Sequence, residues 1–265
     1  MKKRSALLLL VTLTLPFQAI GEEGWSFSAG AGLIYTPTYY GDDESQLSAM
    51  PNFRVSYGER FYASLGEGIG YNLVNHKGFT AGPVMKYNFG RSEDGSNPFA
   101  LTGEDSDDLR GLGDVDGAVE LGVSLGYDHA PLRIKVEARH AVGGHEGFVG
   151  DASVHYADRT NIYGQSVIFA IGPELSYTDS NFNKAYFGVN RAQSAASGLA
   201  EYDADEATVS YGIGGNIMIP HNAHIATMAF ARYSRLGATI ADSSLILERG
   251  SEHQASFGVL VNYSF

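Results

Sequence analysis

The nine residues LRIKVEARH (132–140) alternate without a break. Leu132, Ile134, Val136 and Ala138 fall on one side, and Arg133, Lys135, Glu137 and Arg139 on the other. Successive side chains of a strand point to opposite faces, so a period of two describes a strand whose two faces meet different surroundings. The pattern recurs through most of the chain. Trp25, Phe27, Ala29, Ala31, Leu33 and Tyr35 alternate with Ser26, Ser28, Gly30, Gly32 and Ile34, and Val119 to Tyr127 alternates with Glu120, Gly122, Ser124 and Gly126. No later stretch approaches the ~20 continuous apolar residues of a spanning helix. Two folds accommodate this pattern: a water-soluble β-sandwich, or a barrel with lipid outside and a wet lumen inside.

The first residues separate the two. Lys2, Lys3 and Arg4 precede an apolar run from Ala6 to Leu15, Pro16 breaks it, and Ala19-Ile20-Gly21 supplies small residues. This reads as a secretory signal peptide over 1–21, too short for a membrane anchor, followed by one domain over 22–265. Its removal takes three basic residues and no acidic one, so the net charge moves from −12 to −15. Such a chain repels nucleic acid and anionic lipid surfaces. The absence of cysteine excludes a disulfide framework, thiolate chemistry and lipid attachment. The 33 glycines, with 16 tyrosines and 14 phenylalanines, suit a barrel, where glycine serves crowded walls and aromatics sit at the two membrane interfaces.

Eleven strand-like segments emerge, near 25–35, 52–57, 61–71, 79–89, 119–127, 132–139, 148–156, 165–177, 207–219, 223–233 and 256–265. A bacterial single-chain barrel has an even number of strands, so 61–89 or 234–253 is expected to hide one more. The expectation is an all-β, single transmembrane antiparallel barrel of twelve strands, with ten as the alternative. Tight turns such as Gly58-Glu59-Arg60, Asp128-His129-Ala130-Pro131 and Pro220-His221-Asn222 contrast with long acidic loops at 36–49, 90–114, 178–206 and 234–253. Short turns on one side and long loops on the other is the outer-membrane pattern. The end of the chain, with Phe265, Tyr263, Val261, Val259 and Phe257 on one face, resembles the recognition signal that barrel-insertion machinery reads; Tyr263 and Phe265 are its expected determinants.

Four stretches occur in a telling order: TPTYYGDDES (36–45), GLGDVDGAVELG (111–122), YFGVNRAQSAASGLAEYDA (186–204) and ADSSLILERGSEHQASFGVLVNYSF (241–265). Together they resemble the MipA/OmpV family of Gram-negative outer-membrane proteins over nearly the whole mature chain. The most specific positions are Tyr186, Phe187, Gly188, Gln193, Ser194, Ser197, Gly198 and Tyr202. The resemblance implies an outer-membrane barrel among lipid and lipopolysaccharide. It also implies a non-enzymatic scaffold that joins a lytic transglycosylase to a bifunctional murein synthase. Other members of the family are linked to osmotic response, adhesion, immune recognition or antibiotic sensitivity, so family and fold fix the place better than the task.

No catalytic or cofactor site is legible. The eight histidines show no HExxH or comparable ligand spacing, and no G-x-S-x-G occurs. Glu104-Asp105-Ser106-Asp107-Asp108 offers carboxylates to a divalent ion but lacks the calcium-loop spacing, so it reads as a solvated loop and no metal is expected. The charged face has a clearer meaning. Arg133, Lys135, Glu137 and Arg139 should face the lumen, because a charge on the lipid face costs ~2–4 kcal/mol at mid-depth. Glu120, Asp151, Glu174, Lys86 and Arg54 share that parity. Both signs occur, so these groups are expected to satisfy one another and fill the lumen, and Glu137→Ala should destabilise the barrel modestly without opening a conductance. Three functions stay open: a scaffold, a small-solute channel and a surface adhesin. Whether 178–206 folds over the lumen or projects outward is also open.

Overall fold

The computed structural model describes residues 24–95, 99–102 and 106–265. The expected signal peptide and Glu104-Asp105 lie outside the described residues. The strands are β1 (Trp25–Pro37), β2 (Ser45–Tyr57), β3 (Phe61–Ser64), β4 (Gly68–Tyr71), β5 (Val74–His76), β6 (Phe79–Asn88), β7 (Ala100–Thr102), β8 (Ala118–His129), β9 (Leu132–Val142), β10 (Phe148–Ile162), β11 (Gln165–Thr178), β12 (Thr208–Pro220), β13 (Ile225–Arg235) and β14 (His253–Ser264). Among the described residues, four short helices lie in the long loops: α1 (Ser180–Phe187), α2 (Arg191–Ser197), α3 (Ala238–Ala241) and α4 (Ser244–Arg249).

Every pairing is antiparallel between neighbours in the ring, and β1 pairs with both β2 and β14, which closes the sheet. β4 and β5 both pair with β6, Ile69 opposite Met85 and Val74 opposite Ala81. They form one wall strand with a one-residue register shift. The wall therefore has 12 strands. The strand hidden from the sequence lies in 61–89: the segment 61–71 is a tight hairpin turning at Leu65-Gly66-Glu67, with Phe61 opposite Tyr71 and Ser64 opposite Gly68. Segment 234–253 supplies α3 and α4 instead of a strand. β2 begins at Ser45, inside what reads as loop, and β10 runs on to Ile162. Because the β3–β4 hairpin is short, the upper part of β2 takes another partner. β7 returns from the 89–117 loop to set Thr102 opposite Leu47 and Ala100 opposite Ser48.

The outward positions form an apolar band, with Leu33, Val123, Leu125, Ile171, Ile213 and Val259 all exposed. A soluble sheet would bury these; in a bilayer they face hydrocarbon. Aromatic pairs mark both edges of the band. Trp25–Tyr57 and Phe79–Tyr127 lie near the short turns, with ring centroids 5.2 and 4.6 Å apart. Tyr35–Phe257 and Phe148–Tyr177 lie near the long loops, at 5.0 and 6.1 Å. Closure leaves no free sheet edge. The seam is finished at the short-turn end, where the Phe265 N–H donates to Phe27 O at 3.0 Å.

The main buried apolar cluster is not inside the wall but across one end of it. Tyr39, Leu109, Leu112, Val115, Phe182, Tyr186, Phe187, Val189, Leu199, Leu236, Ile240, Leu245 and Ile246 pack together. They come from the long loops after β1, β6, β11 and β13, and Val149 joins from the top of β10. The long acidic loops thus form a cap with its own core. Segment 178–206 folds across the barrel end.

Candidate functional site

Two features lie inside the barrel: a charged cluster below the cap, and a cavity beside it. The cluster is built from inward positions of adjacent strands, which the period of two puts on one face and the strand register brings to one height. Arg139 on β9 is its centre. Its Nε donates to Glu120 Oε2 on β8 at 2.9 Å, Nη1 to Glu137 Oε2 at 2.7 Å and Nη2 to Asp151 Oδ2 on β10 at 2.7 Å. Glu137 also takes Lys86 Nζ from β6 at 2.5 Å and Lys135 Nζ at 2.9 Å. Asn88 Nδ2 donates to Glu120 Oε1 at 3.2 Å, and His145 Nε2 lies 3.3 Å from the same oxygen. Glu137 and Arg139 are buried. A guanidinium can serve three carboxylates because its five donors lie in a fixed planar fork.

The structure divides the residues that share inward parity. Lys135, Glu137, Arg139, Glu120 and Asp151 converge. Glu174 belongs to a second group, with Arg232 of β13 donating to Oε2 and His155 Nε2 at 3.2 Å from Oε1. Arg133 pairs with Asp128 at the short-turn rim, at 2.9 Å. Arg54 pairs with Glu67 at the tip of the β3–β4 hairpin. His145 is the member that sequence reading missed. It sits in the turn between β9 and β10, where its neighbours Gly143-Gly144 suggest an ordinary loop, yet it is buried with its ring 4.9 Å from that of Phe182.

The cavity occupies the other side of the lumen and measures about 1110 Å³. Its walls mix hydroxyls and amides, such as Ser26, Ser28, Asn52 and Asn262, with apolar Met50, Met218, Phe230 and Leu260, and Arg54, Lys135 and Arg232 are among its charges. At one end it reaches the turn residues Gly58, Glu59, Arg60 and Asp128; at the other it stops at Tyr39, Tyr40 and Gln254 beneath the cap. Short turns face the periplasm in outer-membrane barrels, so the cavity is a cup open to the periplasmic side.

The family-motif positions lie in the cap. Tyr186 and Phe187 are among its most buried side chains, and Tyr186 Oη donates to Asn88 Oδ1 at 3.0 Å. Burial pushes the Tyr186 hydroxyl pKa up. Gly188 ends α1 where a Cβ would lie 2.6 Å from Lys184 O. Gln193 completes the capping box of α2 with Asn190 and reaches Leu112 O at 2.6 Å. Ser194 Oγ donates to Leu199 O at 2.7 Å, and Ser197 Oγ to Gln193 O at 2.7 Å. Gly198 ends α2 at a φ of 82°, the left-handed value that favours glycine. Tyr202 Oη donates to Thr239 O at 2.8 Å.

The family model for MltA-interacting protein MipA matches residues 29–265, from the first strand to the last residue. The chain belongs to the MipA family. Among its relatives, YiaT of Escherichia coli strain K12, named as an outer-membrane protein, is 29% identical over 245 residues, covering 90% of this chain and 91% of YiaT. The outer-membrane protein OmpV of Vibrio cholerae is 23% identical over 240 residues, covering 90% of this chain and 86% of OmpV. An outer-membrane channel of Pseudomonas putida F1 superposes with a TM-score of 0.44 at 10% identity, covering 96% of this chain and all 100% of that one. The NanC porin gives 0.41 at 11% identity, covering 91% and 99%. Both structural likenesses are loose, and the barrel rests on the pairing of this chain's own strands. A MipA-family chain with a closed transmembrane barrel is an outer-membrane protein.

Proposed function

We propose that this MipA-family barrel is a non-conducting, non-enzymatic anchor. Its periplasmic face would hold murein-processing enzymes, a lytic transglycosylase and a bifunctional murein synthase. The observation that carries the reading is the one-sided lumen: the cavity meets the periplasmic rim and ends under a packed cap. A diffusion channel needs passage at both ends. The family description, which names an interaction with MltA, supplies the class of partner.

One element suits partner contact. β10 pairs with β9 only as far as Tyr156 opposite Leu132, while its pairing with β11 continues to Ile162 opposite Gln165. The hairpin therefore overshoots the wall on the periplasmic side. Its tip presents Ile162, half exposed, and Tyr163, fully exposed. Refolded protein immobilised in detergent and exposed to solubilised envelope extract tests the reading. Retention of a lytic transglycosylase or murein synthase above an unrelated barrel, lost in a Tyr163→Ser, Ile162→Ser variant, is expected. Retention of neither enzyme, together with steady ion conductance in planar bilayers, would replace the anchor by a small-solute route through the cup.

A further inference from the structure

The loop between β1 and β2 buries a carboxylate that nothing in the barrel explains. Asp42 is 2% exposed. Its N–H donates to Tyr39 O at 3.1 Å, its carbonyl accepts from Gln254 Nε2 at 3.1 Å, and its Oδ1 accepts from the Glu44 N–H at 3.0 Å. Its Oδ2 is buried and has no hydrogen-bond partner. Gly41 turns the chain inward just before it, at a φ of 105°, where a Cβ would lie 2.3 Å from Ile246 Cδ1.

Two more carboxylates meet it. Oxygens of Asp42, Asp43 and Asp108 lie within 4.8 Å of one another. Asp108 arrives from the distant 89–117 loop, its Oδ2 accepting from Ser106 Oγ at 3.2 Å. Among the described residues no ion pair involves any of the three. The nearby Arg249 is committed elsewhere: Nη1 donates to Asp108 O at 2.7 Å and Nη2 to Ser197 O at 2.5 Å. Burial pushes the Asp42 carboxyl up to about 7 despite the Glu44 N–H, and the charges of Asp108, Asp43 and Glu44 push the same way.

A buried, half-bare carboxylate beside two like charges is opposed by both desolvation and repulsion. A proton on Asp42 relieves the first but leaves Asp43 and Asp108 facing each other. A cation among the oxygens relieves both. The donor set is entirely oxygen, which selects hard ions. The three groups sit on two separate loops, and Asp43 is exposed, leaving room for water ligands. Such flexible, incomplete geometry suits calcium better than magnesium, which demands a near-ideal octahedron. We propose that Asp42, Asp43 and Asp108 bind a divalent cation, calcium foremost, that clamps the first loop of the cap to the 106–112 segment.

The test uses the mature chain refolded in detergent and stripped with EDTA, then titrated with calcium chloride by calorimetry and with terbium by luminescence excited through Tyr39. One saturable site is expected, with the ~10⁻⁴–10⁻³ M affinity of extracellular calcium modules. At ~10 mM calcium, protease access to the cap should then fall ~10–100-fold. Asp108→Asn should weaken binding at least ~10-fold, about the worth of one lost charged ligand. Asp42→Asn should abolish the calcium response and, by removing the repulsion, leave the cap more protease-resistant in EDTA than the unaltered chain. Asp107→Asn, whose carboxylate is instead 2.6 Å from Arg110, should bind normally. No saturable heat and no sensitised luminescence up to ~10 mM, far above such affinities, would overturn the site. Unchanged binding in Asp108→Asn would do so too, even if Asp42→Asn failed to fold.

Discussion

Replacing Arg139 by methionine removes one cation from three carboxylates while keeping most of the side-chain volume. The consequence differs for each partner. Glu137 keeps Lys86 at 2.5 Å and Lys135 at 2.9 Å. Asp151 has a side chain 42% exposed and still accepts from Ser176 Oγ at 3.0 Å. Glu120 is 5% exposed and is left with Asn88 and His145. One buried carboxylate is therefore uncompensated, not three. Breaking a buried pair from one side costs ~3–5 kcal/mol, and that is the expected loss for Arg139→Met. Arg139→Lys restores the charge but not the fork, so a loss of ~1–3 kcal/mol is expected. Urea titration of the refolded barrel, followed by far-UV circular dichroism and Trp25 fluorescence, reads both. The double variant Arg139→Met, Glu120→Gln should recover at least ~1 kcal/mol of the single loss, because it removes the stranded charge. A single loss below ~1 kcal/mol would place the cluster with ordinary exposed ion pairs. No recovery in the double variant would show that Glu120 is not the stranded group.

Glu137→Ala leaves Lys86 and Lys135 without their carboxylate, so ~3–5 kcal/mol is expected rather than the modest change that the strand pattern alone suggests; conductance should stay closed. Phe187→Ala opens the cap core at a side chain 1% exposed, with a loss of ~3–5 kcal/mol in cap stability. Ion current should rise in planar bilayers while the wall keeps its far-UV spectrum; a closed barrel after cap loosening would move the seal to the charged cluster. Gly70→Val would set a Cβ 2.2 Å from the Tyr62 ring, and the shift in unfolding midpoint should correspond to ~1–3 kcal/mol. Phe265→Ser should lower outer-membrane yield in fractionated cells, since its ring packs on Tyr263 at 5.0 Å beside the closing seam; unchanged yield would remove the assembly role of the terminal aromatic.

The wall was legible because lipid and lumen impose opposite demands on alternate residues, and LRIKVEARH shows both demands at once. The pattern fades where they weaken. At the top of β2, inward Gln46 and Ser48 alternate with outward Leu47 and Ala49, too slight a contrast beside the acidic loop to mark a strand. In 61–71 the turn Leu65-Gly66-Glu67 preserves alternation across a reversal of direction, so two strands read as one. Parity placed the charged ladder on one face but not at one height: Arg133 lies six residues below Arg139 and ends at the rim. The cap was illegible for a different reason. Its core residues come from loops far apart in sequence, and short helices such as α3, of 4 residues, carry no periodic signal. The approach of Asp108 to Asp42 depends on that tertiary packing alone.

The positions that carry the family resemblance bear on which end of the barrel does the work. Tyr186 and Phe187 fill the cap core, Gln193 ties α2 to Leu112, Ser197 bonds back within α2, and Tyr202 crosses to α3. None of them lines the cavity. The motif is therefore a specification for a lid: its side chains donate to backbone carbonyls of the cap and, from Tyr186, to Asn88 at the top of β6. Arg91 deepens the point. It is buried, donates to Tyr186 O, and its guanidinium lies 5.9 Å from the Tyr186 ring centroid. Burial lowers its pKa to about 10, a range in which it still carries its charge at neutral pH. A buried cation held to fasten one carbonyl is a costly way to build a surface loop and a reasonable way to hold a lid shut. On the anchor reading proposed above, a lid built this firmly would make the outer face a barrier, and would leave the periplasmic cup and the overshooting hairpin as the surfaces to mutate in search of a partner.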